Sequence, residues 1–187
     1  VGTDGVLLGA WCDSAPAGGR MLDVGTGTGV IALILAQRNP SARIDAVEID
    51  EGSCLDAEGN FAASPWADRL TLYRRPFADF AAGCTVRYDR IVSNPPYIPS
   101  RVVDTLDAEV NDYEPRLALD GGADGLDLFH RFIGDAHELL KPNGVLAVEL
   151  FEESLDQART IALNSGFSEA RIVQDLTNRP RILIATK

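Results

Sequence analysis

Cysteine is scarce in this sequence: Cys12, Cys54 and Cys84 are the three among 187 residues. They are odd in number, far apart and without C-x-x-C spacing. That pattern disfavours a disulfide scaffold and a cysteine zinc site, and it fits buried free thiols in a reducing cytoplasm. Histidine is scarcer still, with only His130 and His137. They stand seven apart on an expected helix, whereas a helical metal pair has i, i+4 spacing, so no metal is expected. No apolar run approaches the length of a membrane span, and no signal peptide is visible. A cytoplasmic location with no membrane partner is the expectation. Positive charge is also short, with 17 Lys and Arg against 28 Asp and Glu and a formal net charge of −11. Such a chain exerts no general pull on nucleic acid, although a local basic patch suffices for one. Arg69, Arg74 and Arg75, or Arg171, Arg179 and Arg181, are the candidates for a patch. Scattered solvated charge is the alternative for both groups.

What is present is ordinary globular material, 45% apolar and 24% charged. No repeat, low-complexity tract or linker divides it, so residues 1–187 are expected to form a single domain. The chain starts at Val1 rather than Met, and its pattern begins at once, so a natural N-terminal segment is expected to be missing.

Two stretches carry chemistry. Arg20 to Val24 has the pattern of a strand and runs into Gly25-Thr26-Gly27-Thr28-Gly29, followed by an apolar helix over 30–38. Strand, glycine turn and helix form a nucleotide-binding opening, in which glycine lets a ligand lie against backbone and the helix start offers free N–H groups. The spacing is Asp-x-Gly-x-Gly-x-Gly, with Asp23 two residues before the first glycine, unlike the dinucleotide fingerprint. No Walker-type lysine follows, which argues against an ATPase loop. The next expected strand, 43–50, ends in Glu48 and Asp50, where a carboxylate can take both hydroxyls of a ribose. Arg75-Pro76-Phe77 follows a short strand at 70–73. Phe77 could lie on a flat ligand or plug the edge of the core.

The second stretch is Ser93-Asn94-Pro95-Pro96-Tyr97, directly after the strand 88–92. Two prolines forbid a helix and hold Asn94 and Tyr97 in a nearly fixed arrangement. A rigid carboxamide beside an aromatic ring can grip a flat group bearing NH2. The five residues alone fit a proline-stiffened loop as well. A long polar stretch, 99–125, follows and contains Glu109, Tyr113, Glu114 and Asp120 to Gly125. A connection of that length is usually functional.

The remaining pattern gives a helix at the start with apolar Val6, Leu7, Ala10 and Trp11, capped by Thr3 or Asp4. It gives a helix over 52–63 with apolar Leu55 and Phe61, and one over 126–140. A turn at 141–144, a strand at 145–150, a helix over 153–165 and an antiparallel pair at 170–176 and 181–186 complete the chain. Repeated strand–helix units ending in a hairpin predict an α/β fold, a parallel sheet with helices on both faces and one antiparallel strand near its edge.

Asp23 to Gly29, the acid at 48 and Asn-Pro-Pro-Tyr at 94–97 together resemble the class I S-adenosylmethionine-dependent N-methyltransferases. The resemblance implies a Rossmann-like seven-stranded sheet, S-adenosyl-L-methionine as cofactor, and methyl transfer to a planar nitrogen. Asp23 would orient the turn or the cofactor's amino group. Gly25, Thr26, Gly27, Thr28 and Gly29 would cradle it, Glu48 would bind its ribose, Phe77 would cover its adenine, and Asn94 would border it. Asn94 and the Pro95 carbonyl would take the two N–H bonds of the acceptor, with Pro96 stiffening the loop and Tyr97 lying on the acceptor plane.

From about residue 85 onward the chain resembles the protein-(glutamine-N5) methyltransferases of peptide chain release factors, through 91–99, 109–110, 113–126 and 175–185. Residues 1–11 and 60–66 resemble the adenine-N6 methyltransferases of valine tRNA. The glutamine family's Pro-Arg-Pro-x-Thr-Glu-like segment is absent from 2–8, and Arg75-Pro76-Phe77 stands where that family tends to have Gly-Asp-Trp. Glutamine N5 in a release factor is the first expectation and adenine N6 in tRNA the second. A cofactor-binding subunit without catalysis is the non-enzymatic alternative.

Overall fold

Period-2 alternation sends neighbouring strand residues to opposite faces of a sheet. In β1 (Arg20–Val24) this puts Met21 on one face and Leu22 on the other. Both are fully buried, so both faces must be covered. In the computed structural model helices do this on each side. The structure describes residues 3–12, 14–103, 105, 119–175 and 177–187.

Helices α1 (Thr3–Trp11), α2 (Val30–Arg38) and α3 (Glu51–Ala63) cover the Met21 face through Leu8, Leu35, Ala57 and Phe61. The other face takes α4 (Phe77–Gly83), with α5 (Ser100–Val103) a single turn beyond it in the chain. Helices α6 (Asp127–Leu139) and α7 (Leu155–Asn164) pack there too, through Phe129, Phe132, Leu155 and Ala158. Burying a side chain such as Leu8 or Phe129 contributes about 2 kcal/mol.

The remaining strands are β2 (Arg43–Glu48), β3 (Leu70–Arg74), β4 (Tyr88–Ser93), β5 (Leu140–Glu149), β6 (Glu169–Gln174) and β7 (Pro180–Thr186). Their order in one seven-stranded sheet is β3-β2-β1-β4-β5-β7-β6. All pairings are parallel except those of β7, which runs antiparallel to both β5 and β6. The predicted α/β architecture, with one antiparallel strand next to an edge, is the one observed. The chain winds outward from β1 in one direction and from β4 in the other. The crevice at the C-terminal ends of β1 and β4 is therefore the switch point where ligands collect in open α/β sheets.

Several expectations are corrected. Helix α1 does not bury Val6 and Ala10, which are exposed; Leu8, Gly9 and Cys12 face inward. Its inner face is chosen by closeness: a Cβ on Gly9 would lie 3.0 Å from the Ile34 side chain, so glycine lets α1 lie directly on α2. Leu55 is 58% exposed, and Cys54, Ala57 and Phe61 carry the buried face of α3. The expected turn at 141–144 lies within β5 as an irregularity. Leu140 pairs with Tyr88 and Val145 with Arg90, so four residues stand opposite Asp89 alone. Asn143 there adopts φ 62°, and Lys141 Nζ reaches Asp89 Oδ2 at 2.7 Å. The chain also turns helical at Phe77, as α4, where no helix is expected from the pattern. Helix α1 includes Thr3, and what precedes it lies outside the described residues.

Candidate active site

The glycine turn is shaped by the strand before it. Gly25 N–H and Thr26 N–H both donate to the Val47 carbonyl, at 2.9 and 3.1 Å, so the turn folds across the end of β2. Gly25 and Gly27 have φ of 70° and 55°. A Cβ built on either would meet nothing within 4 Å, so bare backbone faces open space. Gly29, with φ 84°, differs: a Cβ there would lie 2.5 Å from the Phe61 ring of α3. Asn60 Nδ2 donates to the Thr28 carbonyl at 2.8 Å, so α3 supports the turn from behind.

Asp23 lies beneath the turn with no solvent exposure. Its Oδ2 accepts from Thr26 Oγ1 at 2.6 Å and from Ala32 N–H at 3.1 Å, tying β1 to the turn and to the first turn of α2. Its Oδ1 is buried and has no hydrogen-bond partner among the described residues. Burial, reinforced by the nearby Glu48 charge, pushes the Asp23 carboxyl up from 3.8 to about 7, against the two hydrogen bonds. Glu48 is half-buried at the end of β2. Its Oε2 accepts from Gly27 N–H at 2.8 Å, and its Oε1 from Ile49 N–H at 2.7 Å and Asp50 N–H at 2.9 Å. A carboxylate offers roughly four lone-pair sites. Backbone donors fill three, so a sugar hydroxyl would take the fourth or displace Gly27.

Beside Glu48, Ile49 is 65% exposed, an apolar side chain left uncovered at the rim. Nothing in the local pattern marks it, because it follows an apolar strand and resembles core. Phe77 is half-buried and belongs to an aromatic cluster, with ring centroids 6.4 Å from Phe80 and 6.1 Å from Phe132. Its ring borders the core on the side of the sheet that α4 and α6 cover.

β1 and β4 end side by side, with Val24 opposite Ser93, so residue 94 begins next to the glycine turn. Ser93 Oγ donates to the Val24 carbonyl at 2.9 Å and locks this join. Pro95 is buried, and Asn94, Pro96 and Tyr97 are half-buried. The Asn94 carboxamide forms no hydrogen bond among the described residues. α1 borders it closely, since a Cβ on Gly5 would stand 3.8 Å from Asn94 Nδ2. Tyr97 O–H donates to Glu149 Oε1 at 2.8 Å.

The chain after 97 folds back onto the same loop. Ile98 bridges to Asp120, whose Oδ1 accepts from Ser100 Oγ at 2.7 Å and from Gly122 N–H at 2.9 Å. A Cβ on Gly121 would come within 2.7 Å of Tyr97 Cα, and one on Gly125 would collide with the Tyr97 carbonyl. The glycines of 121–125 are thus the residues that let this segment lie against Tyr97. Glu109, Tyr113 and Glu114 lie outside the described residues.

Three of the six candidate arginines are engaged within the fold. Arg69 donates to the carbonyls of Ala36, Asn39 and Ala42 and so caps the C-terminal end of α2. Arg74 pairs with Glu58 and Arg181 with Asp175. Arg75, Arg171 and Arg179 are exposed, the first far along the sequence from the other two. Among the described residues no group of three or more His, Cys, Asp or Glu could hold a metal ion, and no helix is long and apolar enough to cross a membrane.

A seven-stranded sheet in this order, with an acidic glycine turn after β1 and an acid at the end of β2, has the fold of the class I S-adenosylmethionine methyltransferases. The residues fit such a cofactor: an open glycine turn, a buried carboxylate oxygen without a partner among the described residues, and an acid at the end of β2 lie together. The chain belongs to the Methyltransferase small domain family, whose model matches residues 6–110. It is 42% identical over 171 residues to a tRNA1(Val) (adenine(37)-N6)-methyltransferase of Parabacteroides distasonis, covering 91% of this chain and 68% of the relative. It is 39% identical over 176 residues to a release factor glutamine methyltransferase of Geobacter sulfurreducens, covering 90% of this chain and 58% of that one. Among solved structures, TrmN from Thermus thermophilus superposes with a TM-score of 0.67 at 25% identity, covering 98% of this chain and 48% of that one. The chain thus spans between about half and two thirds of these proteins' lengths.

Proposed function

We propose that this chain is an S-adenosylmethionine-dependent N-methyltransferase acting on a planar NH2 group, in the first place the side-chain N5 amide of a glutamine in a peptide chain release factor. The observation that carries the reaction class is Asn94. Its main chain lies between a locked strand end and a buried proline, its carboxamide keeps its hydrogen-bonding capacity, and it starts beside the open glycine turn. When bound, the cofactor supplies a methyl group on a sulfonium with a good leaving group. The protein's task is then mainly placement. Gly25 and Gly27 admit the cofactor to the backbone, Asp23 holds the turn in shape from beneath, and Glu48 takes its ribose. Asn94 Oδ1 accepts one N–H of the acceptor and the Pro95 carbonyl the other, which turns the nitrogen lone pair toward the methyl. Tyr97 covers the acceptor plane. The proton leaves after transfer, so no strong base is required. Phe77 on the adenine is the expected aromatic contact, and the exposed Ile49 offers a second apolar surface at the same rim.

Two observations support a protein acceptor. The segment 119–126, part of the stretch that resembles the glutamine family, packs directly on Tyr97. Of the candidate arginines, Arg69 caps α2 and Arg74 and Arg181 are ion-paired, on a chain of net charge −11, which is poor ground for holding a polyanion. Adenine N6 in tRNA is the second reading, favoured by the 42% identity to the Parabacteroides enzyme. An adenine amine presents nearly the same hydrogen-bonding edge as an amide.

Labelled S-adenosylmethionine with a release factor and an unmodified tRNA pool, in parallel, tests both. Label in the protein is the expected result, and label in RNA alone overturns the first reading. Cofactor binding with label in neither leaves a cofactor-binding subunit. Asn94→Ala should bind cofactor like the parent and lose roughly a hundredfold or more in turnover, as when a positioned hydrogen-bonding group is removed from a transition state. Parental turnover in that variant refutes the role of Asn94.

A further inference from the structure

Glu149 ends β5, a strand whose preceding residues, Val145 to Val148, are all apolar. It is 1% exposed. Burying a carboxylate in such a place is costly unless it is bonded, and a leucine would pack there without that cost. The sheet register explains where the carboxylate is needed. Val148 pairs with Ser93, so Glu149 lies one residue further, level with the start of the Asn94–Tyr97 loop. Its Oε1 accepts from Tyr97 O–H at 2.8 Å. The other end of Tyr97 is fixed by a different segment. Ile98 N–H donates to the Leu119 carbonyl at 3.0 Å, Gly121 N–H to the Ile98 carbonyl at 2.9 Å, and Gly121 leaves no room beside Tyr97 Cα.

We infer that Glu149 is a positioning residue for methyl transfer, acting through Tyr97. The main chain of Tyr97 is held by 119–125 and its hydroxyl by Glu149, so the ring is tethered at both ends. A ring pinned in this way presents one face to whatever Asn94 grips, and its tilt no longer depends on the acceptor. A phenyl ring without the hydroxyl would keep the apolar area and lose the fixed angle. The inference rests on the N-methyltransferase reading above, and it holds for an amide or an adenine acceptor alike.

The test uses the full chain and whichever of the release factor and tRNA the parent methylates. Tyr97→Phe, Glu149→Leu, Glu149→Gln and the double variant Tyr97→Phe/Glu149→Leu are compared for kcat, acceptor KM and cofactor affinity by calorimetry. Loss of a charge-assisted hydrogen bond predicts a fall in kcat of about tenfold or more for Tyr97→Phe and Glu149→Leu, with cofactor affinity unchanged. Glutamine still offers a carbonyl oxygen to the tyrosine, so Glu149→Gln should stay within about threefold of the parent. The double variant should be no worse than either single change, because the two groups act as a unit. Parental kcat in Tyr97→Phe, or multiplied losses in the double variant, overturns the inference and leaves the function standing. Should Glu149→Leu fail to fold, Tyr97→Phe and Glu149→Gln decide the matter. A parent that methylates neither acceptor overturns the function reading, and this inference with it.

Discussion

Asp23→Asn is expected to flatten the pH dependence of this protein's stability. Asp23 is fully buried, one oxygen bonded to Thr26 and Ala32 and the other without a partner among the described residues. Its carboxyl is pushed up from 3.8 to about 7, chiefly by burial. Below the ordinary value both folded and unfolded chains hold the proton, and the group favours neither. Between the two values the unfolded chain gives up the proton and the folded chain keeps it. Stability then falls by about 1.4 kcal/mol per pH unit, and levels off above the folded value. The whole interval is worth about 4 kcal/mol. An isoelectric point near 4.5 makes the acid end of that window unsuitable for solution work. Urea unfolding at about pH 5.5 and about pH 8.5 samples roughly 2 kcal/mol of it. Asparagine has the same shape, retains an acceptor oxygen and does not titrate. Relative to the parent, the variant should therefore gain about 2 kcal/mol between those two conditions. Parallel stability curves for parent and variant would refute the burial argument for Asp23.

Glu48→Ala should weaken S-adenosylmethionine binding by roughly tenfold to a hundredfold, the worth of hydrogen bonds to a charged group, and calorimetry that finds parental affinity rules out the ribose role. Gly29→Ala should destabilise the fold by about 1–3 kcal/mol through a strained positive φ, with more from the collision with Phe61. Denaturant unfolding measures this, and a stability equal to the parent's would mean that the turn and α3 can separate at no cost.

The local patterns were legible because they depend on neighbours in sequence. A strand followed by alternating glycines, or by two prolines, is constrained by backbone sterics whatever surrounds it. The seven strands, the glycine turn and the order of the helices around it followed from that. The carboxylates at 23 and 48 were visible as acids at the ends of strands. Helix α4 was missed because its first turn begins directly after Pro76, and its seven residues are too short to show a period. The turn expected at 141–144 is instead an irregularity within β5, because β-pairing on both sides carries the strand through it.

Other features depend on which surfaces meet, and no window of sequence contains both partners. The buried side of α1 is set by the close approach of Gly9 to Ile34, so Val6 and Ala10 on its other side are exposed. The sequence offers Arg69 as a candidate for a basic patch, whereas its guanidinium bonds three carbonyls at and just beyond the C-terminal end of α2. Glu149 gave no signal beyond an acid in an apolar strand, because its partner Tyr97 is 52 residues away. The sequence by itself determined the elements, their order and the two motifs that flank the crevice, since these rest on backbone constraints and periodicity. Only the tertiary structure decided that Asp23 is sealed beneath the glycine turn and that Tyr97 is tethered to Glu149. Burial and long-range hydrogen bonds exist only once the β1, β4 and β5 ends have been brought side by side.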